Sequence, residues 1–147
     1  PLTKPGEKIT ATTYDWDTTA LPEGPYRVLI EASDELANPP DRALKHSLES
    51  STLLVDNTPP VFKALAMNGR RVTGSVVDGL GPIARLEVSL AGTDEWRPIN
   101  PKDGIFDQPT EDFDADVSAL VPPGSHIVAV RAYDTAGNSV TRDVEAK

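Results

Sequence analysis

One stretch of this chain occurs twice. Leu21-Pro22-Glu23-Gly24-Pro25-Tyr26-Arg27-Val28-Leu29-Ile30-Glu31-Ala32-Ser33-Asp34, closing at Asn38, returns as Pro122-Pro123-Gly124-Ser125-His126-Ile127-Val128-Ala129-Val130-Arg131-Ala132-Tyr133-Asp134, closing at Asn138. From Pro22 to Asn38 the copies run without a gap, offset by 100 residues. Each is a turn, an alternating apolar strand and a second turn. A repeat of that kind marks tandem β-sandwich modules, so the expected fold class is all-β. Such a fold names no ligand by itself.

The chain is 147 residues long, enough for one ordinary domain or two small ones. Strands are easy to place in its second part. Val61 to Met67 is an apolar run followed by Asn68-Gly69, a strong two-residue hairpin signal, and Arg71 to Val77 is its return strand. Ile83, Leu86, Val88 and Leu90 make a third strand, with Leu86 and Val88 expected on opposite faces, and Trp96 to Ile99 a fourth. Phe113 to Val117, His126 to Tyr133 and Ser139 to Ala146 complete seven, the number in an immunoglobulin-like sandwich. Phe113, Ala115, Val117, Val128, Val130 and Ala132 are its expected inter-sheet core.

The first part holds fewer strands: Lys8 to Trp16, Tyr26 to Ala32 and Ser51 to Val55, matching the last three of the second part. Ser33 to Ser50 reads as an extended polar loop. Residues 1–57 are therefore expected to be the C-terminal half of an Ig-like module, and residues 58–147 a complete one. The chain is expected to start in the middle of a module. Asp56-Asn57-Thr58-Pro59-Pro60 joins the two, and consecutive prolines make a short stiff linker.

Leu120-Val121-Pro122 leading to His126, Val128 and Val130, and Leu21-Pro22 leading to Tyr26, Val28 and Ile30, resemble the fibronectin type III turn into the sixth strand. That resemblance implies a tyrosine corner at Tyr26, its hydroxyl bonding nearby backbone, with His126 in its place in the second copy. Trp16-Asp17-Thr18-Thr19-Ala20-Leu21-Pro22, Val55-Asp56-Asn57-Thr58-Pro59-Pro60, Trp96-Arg97-Pro98-Ile99 and Ala132-Tyr133-Asp134-Thr135-Ala136-Gly137-Asn138 resemble the Ig-like modules at the C-terminus of large secreted bacterial β-propeller proteins. The resemblance implies an extracytoplasmic setting (periplasmic, cell-surface or secreted) and modules without catalytic residues.

Composition narrows the partners. The formal charge is −9, with 5 basic and 10 acidic side chains in residues 1–57 and 9 and 13 in residues 58–147, so polyanions are repelled and nucleic acid is not expected. No apolar run approaches the ~18 residues of a membrane span, so no membrane insertion is expected. The absence of cysteine removes thiolate metal sites, a Cys nucleophile and disulfides.

Several constellations bear on chemistry. Asp103, Asp107, Glu111 and Asp112, continuing to Asp114 and Asp116, offer the oxygen ligands that calcium takes from a loop, but lack the spacing of a helix-loop-helix calcium site. They are expected to form a solvated acidic edge that discourages strand addition. Asp34 and Asp134 open turns closed by Asn38 and Asn138. A cadherin-like arrangement would instead make Asp56, Asn57, Asp134 and Asn138 an inter-module calcium site, although turn chemistry already accounts for them. Trp16, Trp96 and Tyr133 are the candidate sugar-stacking rings, against the ordinary role of such rings in a core. Gly69 to Ser75 misses the phosphate-loop pattern, and neither His46 nor His126 has a nucleophile pattern beside it.

The expected protein is thus a non-catalytic structural or spacer pair of Ig-like modules near the C-terminal end of a larger bacterial extracytoplasmic protein, without cofactor. Its partners would be a neighbouring domain, a second copy, or the missing front half joined through residues 1–57. The rivals are a carbohydrate- or protein-binding accessory module, and a fragment completing the cleft of a hydrolase.

Overall fold

In the second unit, alternating apolar residues bounded by turn residues become strands. The computed structural model describes residues 2, 7, 9, 11–124 and 126–145, none of them helical. It divides into two units, Pro1–Val55 and Asp56–Lys147.

The second unit holds seven strands: β5 (Val61–Asn68), β6 (Arg71–Val77), β7 (Ile83–Leu90), β8 (Trp96–Ile99), β9 (Thr110–Asp116), β10 (Ile127–Asp134) and β11 (Ser139–Glu145). One sheet runs β5-β6-β9, the other β11-β10-β7-β8, and every pairing is antiparallel. This is an Ig-like sandwich whose fourth strand extends the β7-β10-β11 sheet. The β5–β6 turn differs in one respect from its sequence signal. Asn68 pairs with Arg71, so Gly69-Arg70 is the two-residue loop, with Gly69 at φ 57° and Arg70 at negative φ. That Gly-first pattern suits a type II′ turn.

Phe113, Val72, Val76, Ile83, Leu86, Val121, Val128 and Val130 form the fully buried heart of the inter-sheet core. Val117 and Ala132 join it, and Ala115 packs against it half-buried. Leu86 and Val88 are not split between faces. They are two apart on one strand, so both point inward and both are buried. Two bulges adjust the alternation. In β7, Asp134 pairs with Ile83 and Tyr133 with Arg85, leaving Ala84 as the extra residue and turning Ile83 inward beside Leu86. In β5, Phe62 pairs with Val76 and Ala64 with Ser75, so Lys63 is extra and stays exposed while Phe62 reaches the core. Phe62 meets Phe113 edge-to-face, centroids 6.3 Å apart.

The first unit contains β1 (Gly24–Tyr26), β2 (Leu29–Ser33), β3 (Lys45–Glu49) and β4 (Leu53–Val55). β1 pairs with β4 and β2 with β3, giving two successive two-stranded ladders. Between them Arg27 and Val28 oppose Ser50, Ser51 and Thr52. The extra residue is absorbed where Val28 N–H donates to Ser50 Oγ (3.0 Å) and Ser50 N–H to the Val28 carbonyl (2.9 Å). Several expectations change here. Lys45–Glu49 is a strand rather than loop, because Ile30 and Leu48 face each other across the ladder. The strand expected from Tyr26 to Ala32 is interrupted at Arg27 and Val28. In the segment expected as strand from Lys8 to Trp16, Lys8 and Thr10 lie outside the described residues, and residues 11–16 form no ladder. Ser125 and Ala146 also lie outside them.

Repeat and structure part company in burial. Val128, Val130 and Ala132 are fully buried under β5-β6-β9, whereas at their equivalents Val28 is half-buried, Ile30 is 62% exposed and Ala32 is exposed. Leu48, opposite Ile30, is 64% exposed. The tyrosine corner is present: Tyr26 O–H donates to the Pro22 carbonyl at 2.8 Å. Trp16 stands edge-on to the Tyr26 ring at 5.8 Å.

Candidate functional site

Three aspartates of the second unit stand where strands end. Asp56 follows Leu53-Leu54-Val55, Asp78 follows Ser75-Val76-Val77, and Asp134 follows Ala132-Tyr133 as the last residue of β10. All three are buried, at 8%, 5% and 2% exposure. Their carboxylate oxygens come within 4.8 Å of one another.

Local turn chemistry places each one. Asp78 Oδ1 accepts the N–H groups of Leu80 and Gly81, both at 2.9 Å, which folds the turn from β6 into β7. Asp134 closes the β10–β11 turn: Oδ1 accepts Asn138 N–H at 2.9 Å and Oδ2 accepts Asn138 Nδ2–H at 2.8 Å. Asp56 Oδ1 accepts Thr58 N–H at 3.1 Å, and the Asp56 carbonyl accepts Asn138 Nδ2–H at 3.0 Å. Asn138 thus ties two of the three aspartates. Gly81 lets the segments close in, since a Cβ there would lie 2.9 Å from Thr135 Oγ1 and 3.9 Å from Asp56 Oδ2. Asp78 Oδ2 is buried with no hydrogen-bond partner. None of the described Lys or Arg side chains forms an ion pair with Asp78 or Asp134.

The acidic stretch singled out by sequence does not converge. Asp103 Oδ1 accepts Ile105 N–H at 3.2 Å, a local turn bond. Glu111 turns inward, 3% exposed, and its Oε1 accepts the N–H groups of Asp107 and Gln108 at 3.2 and 3.0 Å, so it shapes its own loop. It therefore leaves the solvated edge it was expected to share. Asp112, Asp114 and Asp116 lie on the outer face of β9, an edge strand. Asp114 pairs with Arg71 at 2.6 Å and raises its pKa. Ser118, through its hydroxyl and its N–H, holds the Asp116 carboxyl below the usual value, with Arg70 and Arg71 adding to the effect. A carboxyl depressed in the folded state contributes stability above its unfolded pKa. That contribution, and the same one from Glu35 beside Lys45, is expected to fade as pH falls through the folded value. Melting curves on acidification check this: Asp116→Asn should flatten the acid limb slightly.

The three candidate rings are also placed. Trp16 belongs to the first unit. Trp96 and Tyr133 stand on the outer face of the four-stranded sheet in a ladder with arginines. The Arg131 guanidinium lies 3.8 Å over Trp96 and 5.2 Å from Tyr133, and Arg85 lies 4.0 Å over Tyr133. Glu87 holds both arginines, at 2.9 Å from Arg131 and 3.4 Å from Arg85. Ring faces stacked this way are already covered, and a sugar would have to displace a guanidinium.

Sequence reasoning had Asp56, Asp134 and Asn138 in view but missed Asp78. The signal available was the shared pattern, an aspartate at or just past the end of an apolar strand, three times over. No curated protein matches the chain. A model of the bacterial Ig-like domain (group 3) family matches residues 10–96, more than half of the sequence, reaching from the first unit to the start of β8. The chain therefore belongs to the bacterial Ig-like domain (group 3) family.

Proposed function

We propose that this chain is a non-catalytic spacer from the C-terminal end of a larger bacterial extracytoplasmic protein, in which the second unit is a rigid body that holds or positions a neighbouring domain, a β-propeller being the kind implied by sequence resemblance. The observation that carries this reading is the way the linker is fastened to the sandwich. Asn138 grips the Asp56 carbonyl, Asp56 caps Thr58, and Pro60 is among the fully buried residues. A spacer transmits position only if its point of chain entry is fixed, and here that point is bonded into the end of the fold. Ig-like family membership and the covered outer face of Trp96 and Tyr133 agree with a structural rather than a sugar-binding role.

The test uses Pro59, which is exposed and can be changed without opening the core. Spin labels at Ser47 and Thr141, both exposed, report the distance between the units. Pro59→Gly should broaden that distribution, because glycine restores the φ freedom that proline removes. An unchanged distribution would count against a linker-set geometry and so against the spacer reading.

The first unit has a complementary role in this proposal. In this reading its hairpin is the back half of a sandwich, and its described residues hold no three-stranded apolar sheet such as β5-β6-β9 supplies in the second unit. The occupant is therefore a front sheet of an Ig-like module.

A further inference from the structure

We propose that Asp56, Asp78 and Asp134 form a calcium site at the end of the sandwich where the chain enters it. Turn bonds engage Asp56 Oδ1, Asp78 Oδ1 and both oxygens of Asp134. They do not account for the convergence of three carboxylates from three distant segments, nor for Asp78 Oδ2, which is buried and has no donor. A buried carboxylate oxygen without a partner is costly, and three carboxylates held together repel one another. A divalent cation among them answers both problems at once.

The donor set selects the ion. All three side chains offer oxygen, with no imidazole or thiolate in the cluster, which favours a hard cation over zinc or copper. Calcium binds oxygens at about 2.3–2.6 Å, so oxygens on opposite sides of one ion stand roughly 5 Å apart, and three ligand oxygens within 4.8 Å of one another can share such an ion. Magnesium demands a near-ideal octahedron and gives up its waters reluctantly, so a cluster of three protein carboxylates suits it less well. Calcium tolerates irregular geometry, and Asp78, whose Oδ1 is engaged in a turn, can still ligate through Oδ2. The bound ion would clamp the linker residue Asp56 to the β6–β7 turn and to the end of β10.

The experiment uses the full chain, stripped with chelator. Calcium should raise the melting temperature of the second unit by roughly 5–15 °C at saturating concentration, because a ligand specific to the native state stabilises it by mass action. Chelator should reverse the rise. Asp78→Asn is the decisive variant: its amide oxygen can still accept from Leu80 and Gly81, while one charge and the unpartnered carboxylate oxygen are gone. It should melt no lower than wild type without calcium and lose at least tenfold in calcium affinity by titration calorimetry. Asp112→Asn, on the exposed stretch, should bind as wild type does. The proposal is overturned if calcium neither binds nor shifts melting. It is equally overturned if the response survives Asp78→Asn or vanishes in Asp112→Asn, and the calcium assignment fails if magnesium acts at the same concentration.

Discussion

Replacing Gly74 by alanine is expected to destabilise the second unit by about 3 kcal/mol, the upper end of what overpacking a core costs. Gly74 lies mid-strand in β6, where glycine is ordinarily a poor choice. The reason for it is Phe113, its partner across the β6–β9 ladder. A Cβ at position 74 would stand 2.5 Å from Phe113 Cζ and 2.7 Å from the Ala64 carbonyl oxygen. The ring is fully buried and wedged against Phe62, and the carbonyl belongs to the paired strand β5, so neither can withdraw freely. For a unit of this size the loss corresponds to a fall of roughly 10–20 °C in melting temperature. A double-mutant cycle separates ring from backbone. Phe113→Leu should itself be destabilising, but adding Gly74→Ala to it should cost at least 1 kcal/mol less than in the wild type, since the shorter side chain frees the space above Gly74. Strictly additive costs would mean that the Ala64 carbonyl, not the ring, requires the glycine.

The same pair shows what sequence could and could not reveal. Phe113, Ala115 and Val117 alternate with aspartates, so their inward face was legible from period alone, as were all seven strands of the second unit. Bulges were not. Nothing at Lys63 or Ala84 announces an extra residue, yet those two positions decide that Phe62 and Ile83 point inward. Lys45–Glu49 was missed because Leu48 is its one large apolar residue, and a strand facing solvent carries almost no hydrophobic pattern. After Asn38 the first copy departs from the second: Asp34 N–H bonds the Leu44 carbonyl, whereas Asp134 N–H bonds Asn138, so the hairpin loop is longer and alignment by repeat misplaced the following strand. The carboxylate cluster was half legible. Asp56 and Asp134 were visible as turn residues, but only the sandwich brings Asp78 beside them. In sequence, Asp78-Gly79 is one turn signal among many.

Hydrogen exchange on the chain alone should split it in two. Amides of β6, β7 and β10 lie in central strands over a fully buried core and should exchange only through global unfolding. Amides of Leu29–Ser33 and Lys45–Glu49 should exchange orders of magnitude faster, because a two-stranded ladder with both faces in water is marginal at best. Leu29, Ile30, Leu44 and Leu48 are 58–74% exposed, so the hydrophobic term that fixes Val128 and Val130 in the second unit is withheld from their counterparts. It follows that residues 56–147 alone should melt cooperatively at nearly the temperature of the full chain, while residues 1–55 alone should show no cooperative transition. Protection of Leu29–Glu49 should then rise when the covering sheet is supplied, either within a longer form of the protein or by adding a front-sheet fragment. If light scattering instead finds a dimer whose formation protects the hairpin, a second copy is the occupant and the front-sheet proposal fails. A clean monomer with β2 and β3 as protected as β10 would be more damaging still, since it would require a hairpin without a core to match the stability of a complete sandwich.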